Sequence, residues 1–375
     1  MIIKGGNVFC EDFKFTKKDL YVSDGVITDD IEKALKDGKT IDASGKYVIP
    51  GLIDIHSHGA VGHDFCDASE EGLKEILAYE RSFGVTSYCP TSMTLPYDDL
   101  EKIFETAHKL AESKSTRSNQ IASIVGINME GPFISVKKKG AQKEDYIKAP
   151  DPEAFEKLFK ASGNLIKLVT LAPETEGAID FIIKFADKVN ISIGHTDSDY
   201  NKASEAFTLG ANHVTHLFNA MPPFHHRNPG VIGAAMENEN VFVEVICDGI
   251  HIHPSMIRNI YKMFGCDRIV LISDSMEATG MPDGEYMLGG QKVYKKKNLA
   301  TLSDETLAGS VTNLFECMKN AVHFGIDLED AVKSATVNPA KSIGEYPNIG
   351  SLNAGSKADI LLLDEGLNLA CVITA

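Results

Sequence analysis

The chain has 375 residues, 43 % of them hydrophobic, with 53 acidic against 37 basic side chains and a formal net charge of −16. That length suits one large domain, or one large and one small, around a sizeable core. The negative charge argues against nucleic acid or an anionic membrane as partner, and it means that an anionic substrate needs local cations.

No apolar stretch approaches the roughly 20 residues of a membrane span. The start, Met1-Ile2-Ile3-Lys4-Gly5-Gly6, lacks the basic, apolar and cleavage regions of a signal peptide. Seven scattered cysteines, with no Cys-x-x-Cys pair, read as small core residues in a reducing cytoplasm.

In chain order, residues 1–7, 19–22 and 26–28 carry short strand patterns, with Ser23-Asp24-Gly25 as a turn. Residues 350–364 have the same character. Both ends therefore predict one small β-sandwich domain, 1–49 with 346–375, and an inserted unit of 50–345. The insert alternates. Strand candidates are 48–56, 85–91, 124–130, 165–172, 190–195, 212–217, 241–248 and 268–274. Helical patterns at 70–83, 97–112, 152–161, 175–188, 199–209 and 254–264 separate most of them. Alternating strand and helix means a parallel sheet, and eight units predict an α/β fold of the (β/α)8 TIM-like barrel type. The Lys137-Lys138-Lys139 triplet reads as a solvated loop, and the glycines at 230–233 and 289–290 as turns or tight packing. No phosphate-cradling glycine motif is present.

The chemistry gathers at the strands' C-terminal ends, where barrels of this type place their active sites. The run Tyr47 to Ile55 ends in His56-Ser57-His58. Strand alternation puts the two imidazoles on one face, able to grip one metal ion. Later strands end at Glu130, His195, His216 and Asp274. Imidazole and carboxylate suit Zn, Fe, Mn or Co. An ion with an open position lowers the pKa of its water to about 7. Asp274 can orient that water, take its proton and pass it to a leaving group. That is metal-assisted hydrolysis of an amide or related bond. His213, His63 and His253 read as packing, structural and helix-start residues respectively.

The chain resembles the amidohydrolase superfamily and, within it, the family of N-acetylglucosamine-6-phosphate deacetylases. The motifs that carry the resemblance are Pro-Gly-Leu-Ile-Asp-Ile-His-Ser-His-Gly (50–59), Met-Glu-Gly-Pro-Phe (129–133), Lys-Gly-Ala-Gln (139–142) and Gly-His-Thr (194–196). Further along lie Thr-His-Leu-Phe-Asn-Ala-Met (215–221), His-His-Arg-Asn-Pro-Gly (225–230), Asp-Gly-Ile-His (248–251), Ser-Asp-Ser (273–275) and Leu-Ala-Gly-Ser (307–310). The resemblance implies a cytoplasmic, metal-dependent deacetylase of amino-sugar catabolism acting on a phosphorylated amino sugar. It implies Glu130, His195 and His216 as ligands of a principal divalent ion, with His56 and His58 as a pair for a second. Asp274 falls at the family's acid/base position. His251 falls where a residue contacts the sugar and helps polarise the acetyl group. Ala141, Gln142, Asn219, Ala220 and Leu307 fall where substrate is lined. Arg227 falls at the phosphate-binding arginine, which in this family reaches across a homodimer into the neighbouring site. Many relatives carry His-Leu-Glu-Gly-Pro where this chain has Asn128-Met129-Glu130-Gly131-Pro132, and His where Gln142 stands. The rival readings are hydrolysis of N-acetylgalactosamine 6-phosphate or of a cyclic amide, and a catalytically silent relative that only binds.

Overall fold

The computed structural model describes residues 1–36, 38–113 and 120–374. Eight strands form the parallel barrel path: β1 (Leu52–Ser57), β2 (Val85–Ser92), β3 (Ile127–Glu130), β4 (Ile166–Leu171), β5 (Asn190–Ile193), β6 (His213–Val214), β7 (Phe242–Ile246) and β8 (Ile269–Ile272). A short ninth strand, Ser123–Ile124, pairs β2. The first and last strands meet at the top, where the Asp274 amide donates to the His56 carbonyl at 2.9 Å.

Strand alternation divides the core. Ile127, Met129, Val169, Leu171, Ile191, Ile193, Val243 and Val245 pack outward into the cluster shared with the helices. Leu168, Ile246, Val270 and Ile272 join Ile53 and Ile55 in a separate inner cluster. Strict alternation from Ile53 and Ile55 would send His56 outward. A register irregularity between Asp54 and Ser57 turns it inward instead. The predicted strand 48–56 is in fact two. Tyr47–Pro50 pairs with the chain ends and Leu52–Ser57 with the barrel, divided at Gly51, where a Cβ would sit 2.1 Å from Thr86 Oγ1.

The helices lie where periodicity put them. Glu70–Ser82 starts under a Ser69 cap, Pro152–Ala161 under Asp151, and Tyr200–Thr208 under Asp199. His253 caps Pro254–Phe264 through its ring, as a helix-start residue should. In Tyr97–Glu112 the buried residues Leu100, Ile103, Phe104, Ala107 and Leu110 recur at helical spacing and face the core. Three features differ from expectation. Gly230–Glu237 is a helix, and its Gly233 sits against Pro229 where no side chain would fit. Residues 284–301 form a three-stranded antiparallel sheet after β8. Helices at Leu314–His323, Leu328–Ala335 and Val337–Ser342 complete the outer layer.

The chain ends build a seven-stranded sheet that includes Ile2–Phe9, Phe15–Ser23, Tyr47–Pro50, Ile360–Leu363 and Leu369–Ile373. Its own core contains Ile3, Val8, Leu20, Val22, Val48, Ile360 and Leu362. No helix among the described residues is long and apolar enough to cross a membrane.

Candidate active site

Glu130, the last residue of β3, is 2 % exposed and sits at the centre of four imidazoles. Its Oε1 lies 3.0 Å from His216 Nε2, 3.1 Å from His195 Nε2 and 3.4 Å from His56 Nε2. Its Oε2 lies 3.4 Å from His58 Nε2. Asp274 Oδ1 closes the ring, 3.2 Å from His58 Nε2 and 3.7 Å from His56 Nε2. Residues that the sequence scatters over more than two hundred positions thus converge through the ends of β1, β3, β5, β6 and β8. The backbone bends sharply to deliver them. His195, His216 and Asp274 have φ of 45°, 26° and 50°, in the left-handed region that non-glycine residues avoid. Such positions cost about 1–3 kcal/mol each and persist where the surrounding fold over-determines them.

The ring nitrogens show what the pocket is built to hold. His195 Nδ1 donates to the Lys138 carbonyl at 2.9 Å and His58 Nδ1 to the Thr91 carbonyl at 3.1 Å. A carbonyl only accepts, so both Nδ1 atoms carry the hydrogen. In the neutral rings Nε2 is then a bare lone pair, aimed at the Glu130 carboxylate. His195 Nε2 and His216 Nε2 stand only 3.1 Å apart. A cation between these electron pairs satisfies all of them. Glu130, His195 and His216 form one group of ligand atoms within 4.8 Å of one another; His56, His58 and Glu130 form a second. Two nitrogens and a carboxylate oxygen suit Zn, Fe, Mn or Co, so these residues fit a divalent ion at either group.

Protons compete for the same nitrogens. Burial works against charge on His56, but the carboxylates of Glu244 and Glu130 outweigh it and hold the ring well above its ordinary pKa. His58 is likewise raised against burial, by Asp274 and Glu130. Glu130 moves the other way. Burial opposes its ionisation, yet His56 and His195 keep it well below the usual carboxylate range. Asp274 is also lowered against burial, chiefly by His58.

One supporting residue was missed. Glu244 lies in mid-β7, fully buried, and its Oε2 accepts from His56 Nδ1 at 2.8 Å and from the His216 amide at 3.1 Å. It orients the His56 imidazole and anchors the backbone of His216, one residue from each group. The available signal was a lone acid inside the apolar run Phe242-Val-Glu-Val-Ile246, since a buried charge needs partners. His213, buried beneath, lies 3.6 Å from Glu244 Oε1. His63 pairs with Glu75 at 3.0 Å, outside the cluster.

A cavity of about 430 Å³ opens over the ligands, lined among others by Ala141, Gln142, Asn219, Ala220, His251 and Leu307. His251 is held by Asp248, Nδ1 to Oδ2 at 2.7 Å. Burial disfavours its charge, and the Asp248 bond more than offsets that. Lys137 and Lys138 also line this cavity, so the lysine triplet is more than a solvated loop: Lys138 orients His195, and Lys137 pairs with Asp197 at 2.9 Å. Asn128 does not touch Glu130; its amide donates to the Ile55 carbonyl at 3.0 Å and ties β3 to β1. Arg227 is not brought to the cavity of its own chain. It is exposed, lies 2.9 Å from His226 Nε2, and lines a separate cavity with Asp197, Asp199 and Glu237.

A family model described as the amidohydrolase family matches residues 47–374. The chain belongs to the amidohydrolase family. It is 36 % identical over 378 residues to N-acetylglucosamine-6-phosphate deacetylase of Lysinibacillus sphaericus, covering 100 % of this chain and 96 % of that one. It is 38 % identical over 330 residues to the Bacillus subtilis protein of the same name, covering 87 % and 83 %. Among solved structures, a mutant N-acetyl-D-glucosamine-6-phosphate deacetylase from Mycobacterium smegmatis, in complex with N-acetyl-D-glucosamine-6-phosphate, superposes with a TM-score of 0.90 at 30 % identity, over 100 % of this chain and 97 % of that one. Those relatives supply a substrate class to test.

Proposed function

We propose that the chain is a metal-dependent deacetylase that hydrolyses N-acetyl-D-glucosamine 6-phosphate to D-glucosamine 6-phosphate and acetate. The observation that carries the reading is the gathering of four imidazole Nε2 atoms and Asp274 around Glu130, beneath a sugar-sized cavity. The relatives' shared activity points to the same substrate.

A divalent ion held by Glu130, His195 and His216, with His56 and His58 for a second, would polarise the acetamide carbonyl and lower the pKa of a nearby water. Asp274 is kept ionised by its histidine neighbours, so it accepts the water's proton as the new C–O bond forms. It returns that proton to the sugar nitrogen as the C–N bond breaks. His251, braced by Asp248, donates toward the sugar and the acetyl oxygen. Ala141, Asn219, Ala220 and Leu307 hold the sugar ring in the cavity.

The phosphate needs a cation in a chain of net charge −16. Arg227 is exposed and outside its own cavity, which fits a homodimer in which it serves the neighbouring site. A guanidinium matches phosphate with paired hydrogen bonds worth about 1.5–3 kcal/mol each. Seven free cysteines fit a reducing cytoplasm.

Acetate release tests the reading, with N-acetylglucosamine 6-phosphate compared with its unphosphorylated and galacto counterparts. Release from the first alone supports it. Release from the galacto substrate alone moves the assignment to the epimer. Arg227→Ala should raise KM for the phosphorylated sugar by roughly 10–100-fold and leave the plain sugar unaffected; equal losses on both remove the phosphate role.

A further inference from the structure

The Gln142 amide has one orientation that serves both its neighbours. The Thr94 backbone N–H can only donate, so it meets the amide oxygen, at 2.7 Å. The amide nitrogen is left facing Glu130 Oε2, at 2.8 Å, and an ionised carboxylate only accepts. The side chain is 1 % exposed, so both ends are occupied and neither is presented to solvent. Its loop is held as well. The Gln142 amide N–H donates to the Lys139 carbonyl at 2.9 Å, and the Gln291 side chain, from the three-stranded sheet, donates to the Ala141 carbonyl. The same loop carries the Lys138 carbonyl that orients His195. One short segment, 138–142, thus fixes two members of the Glu130–His195–His216 group.

We propose that Gln142 is a positioning residue for Glu130 and not a contact for the sugar: its amide pins Oε2, so that Oε1 is presented between His195 and His216. Oε1 lies 3.0 and 3.1 Å from those two rings, while Oε2 is 3.4 Å from His58. The amide is neutral. It orients the carboxylate without taking its charge, as a lysine or arginine there would. Occupying Oε2 also weakens the oxygen that faces His58, so the first ion settles at His195 and His216. This inference rests on the metal-dependent reading above.

The test is the zinc affinity of stripped protein, titrated against a chelating dye without substrate. Gln142→Met fills the same space and lacks the donor. Its zinc affinity should fall by about 10–100-fold, the usual cost of losing an outer partner of a metal ligand. KM at saturating zinc should stay within about twofold, since no substrate contact is lost. Gln142→His should recover most of the affinity, because an imidazole offers one donor and one acceptor to the same two neighbours. Circular dichroism of the stripped variants checks folding. If the Met variant does not fold, Gln142→Glu, which keeps the acceptor for Thr94 and loses the donor, makes the same measurement. Unchanged zinc affinity in a folded variant overturns the proposal, and a raised KM beside it returns Gln142 to the sugar. A wild-type protein that binds zinc but releases no acetate refutes the deacetylase reading alone and leaves this result standing.

Discussion

Two sets of buried carboxyls flank β1, and their acidities move in opposite directions. On the inner side Glu130 and Glu244 are almost completely enclosed, yet both are held below the ordinary carboxylate range, because imidazoles face them. On the outer side Asp54 and Glu80, from β1 and the helix Glu70–Ser82, are just as enclosed. Burial lifts Asp54 to about 6 and Glu80 well above its usual value. Asp54 Oδ1 accepts weakly from the His56 and Ser273 amides, while Asp54 Oδ2 and both Glu80 oxygens have no hydrogen-bond partner among the described residues. Neither residue lines the catalytic cavity. Burial pushes every one of these groups toward the neutral form, and the neighbours decide the outcome. The inner set stays charged: Glu130 keeps lone pairs for a cation, and Glu244 accepts from His56 and the His216 amide. The outer set is a structural pair that favours its protons. A shifted acidity therefore marks a functional site only where counter-groups and access coincide.

The largest effect should come from Asp274→Asn on the inner side. The variant keeps the shape and loses the base, so kcat should fall by about 10²–10⁴-fold while substrate still binds, as read by single-turnover acetate release and equilibrium binding. Near-normal turnover would remove Asp274 from proton transfer. Next is Glu244→Leu, which strands His56 Nδ1 and the His216 amide. Metal affinity of the stripped protein should drop by about 10–100-fold, and an unchanged value would make Glu244 a packing residue.

The outer pair should respond to pH instead. Asp54 has a folded pKa above its unfolded value, so between about pH 4 and 6 the folded state holds a proton that the unfolded state releases. Stability from this group is present below about pH 4 and is lost as pH rises through about 6. Asp54→Asn can keep the amide contacts and has no charge to bury. Relative to the parent it should gain about 2 kcal/mol between pH 4 and pH 7 in urea unfolding. A pH-independent difference would show that the parent carboxyl is not the strained group. The smallest effect belongs to the exposed pair Lys137–Asp197. Lys137→Ala should leave the urea midpoint almost unchanged, because exposed ion pairs contribute little.

Much of this is legible in the sequence alone. Apolar runs of strand length alternating with amphipathic patterns give the barrel, and ligand-type residues ending several runs in one register give the site. The terminal strand patterns give the sheet from both ends. What escaped depends on contacts between distant segments. The break falls at Pro50-Gly51, a local breaker pair, and the crowding of Gly51 by Thr86 is a distant contact that the sequence does not show. Glu80 falls on the same helical stripe as Leu73, Ile76 and Leu77, a warning of burial that composition alone does not voice. The inward turn of His56 needs a register irregularity that strict alternation cannot foresee. Gln142 falls at a substrate-lining position of its motif, and only its amide partners show Glu130 as its neighbour.

Metal content and rate, followed together, decide whether the strand-end cluster works through a bound ion. Protein stripped by a chelator is titrated with zinc, and acetate release from N-acetylglucosamine 6-phosphate is followed beside the bound metal per chain. Stripped protein should release negligible acetate, and the rate should rise in proportion to bound ion until the Glu130–His195–His216 group is filled. Full-rate release from protein shown to hold almost no metal would contradict it.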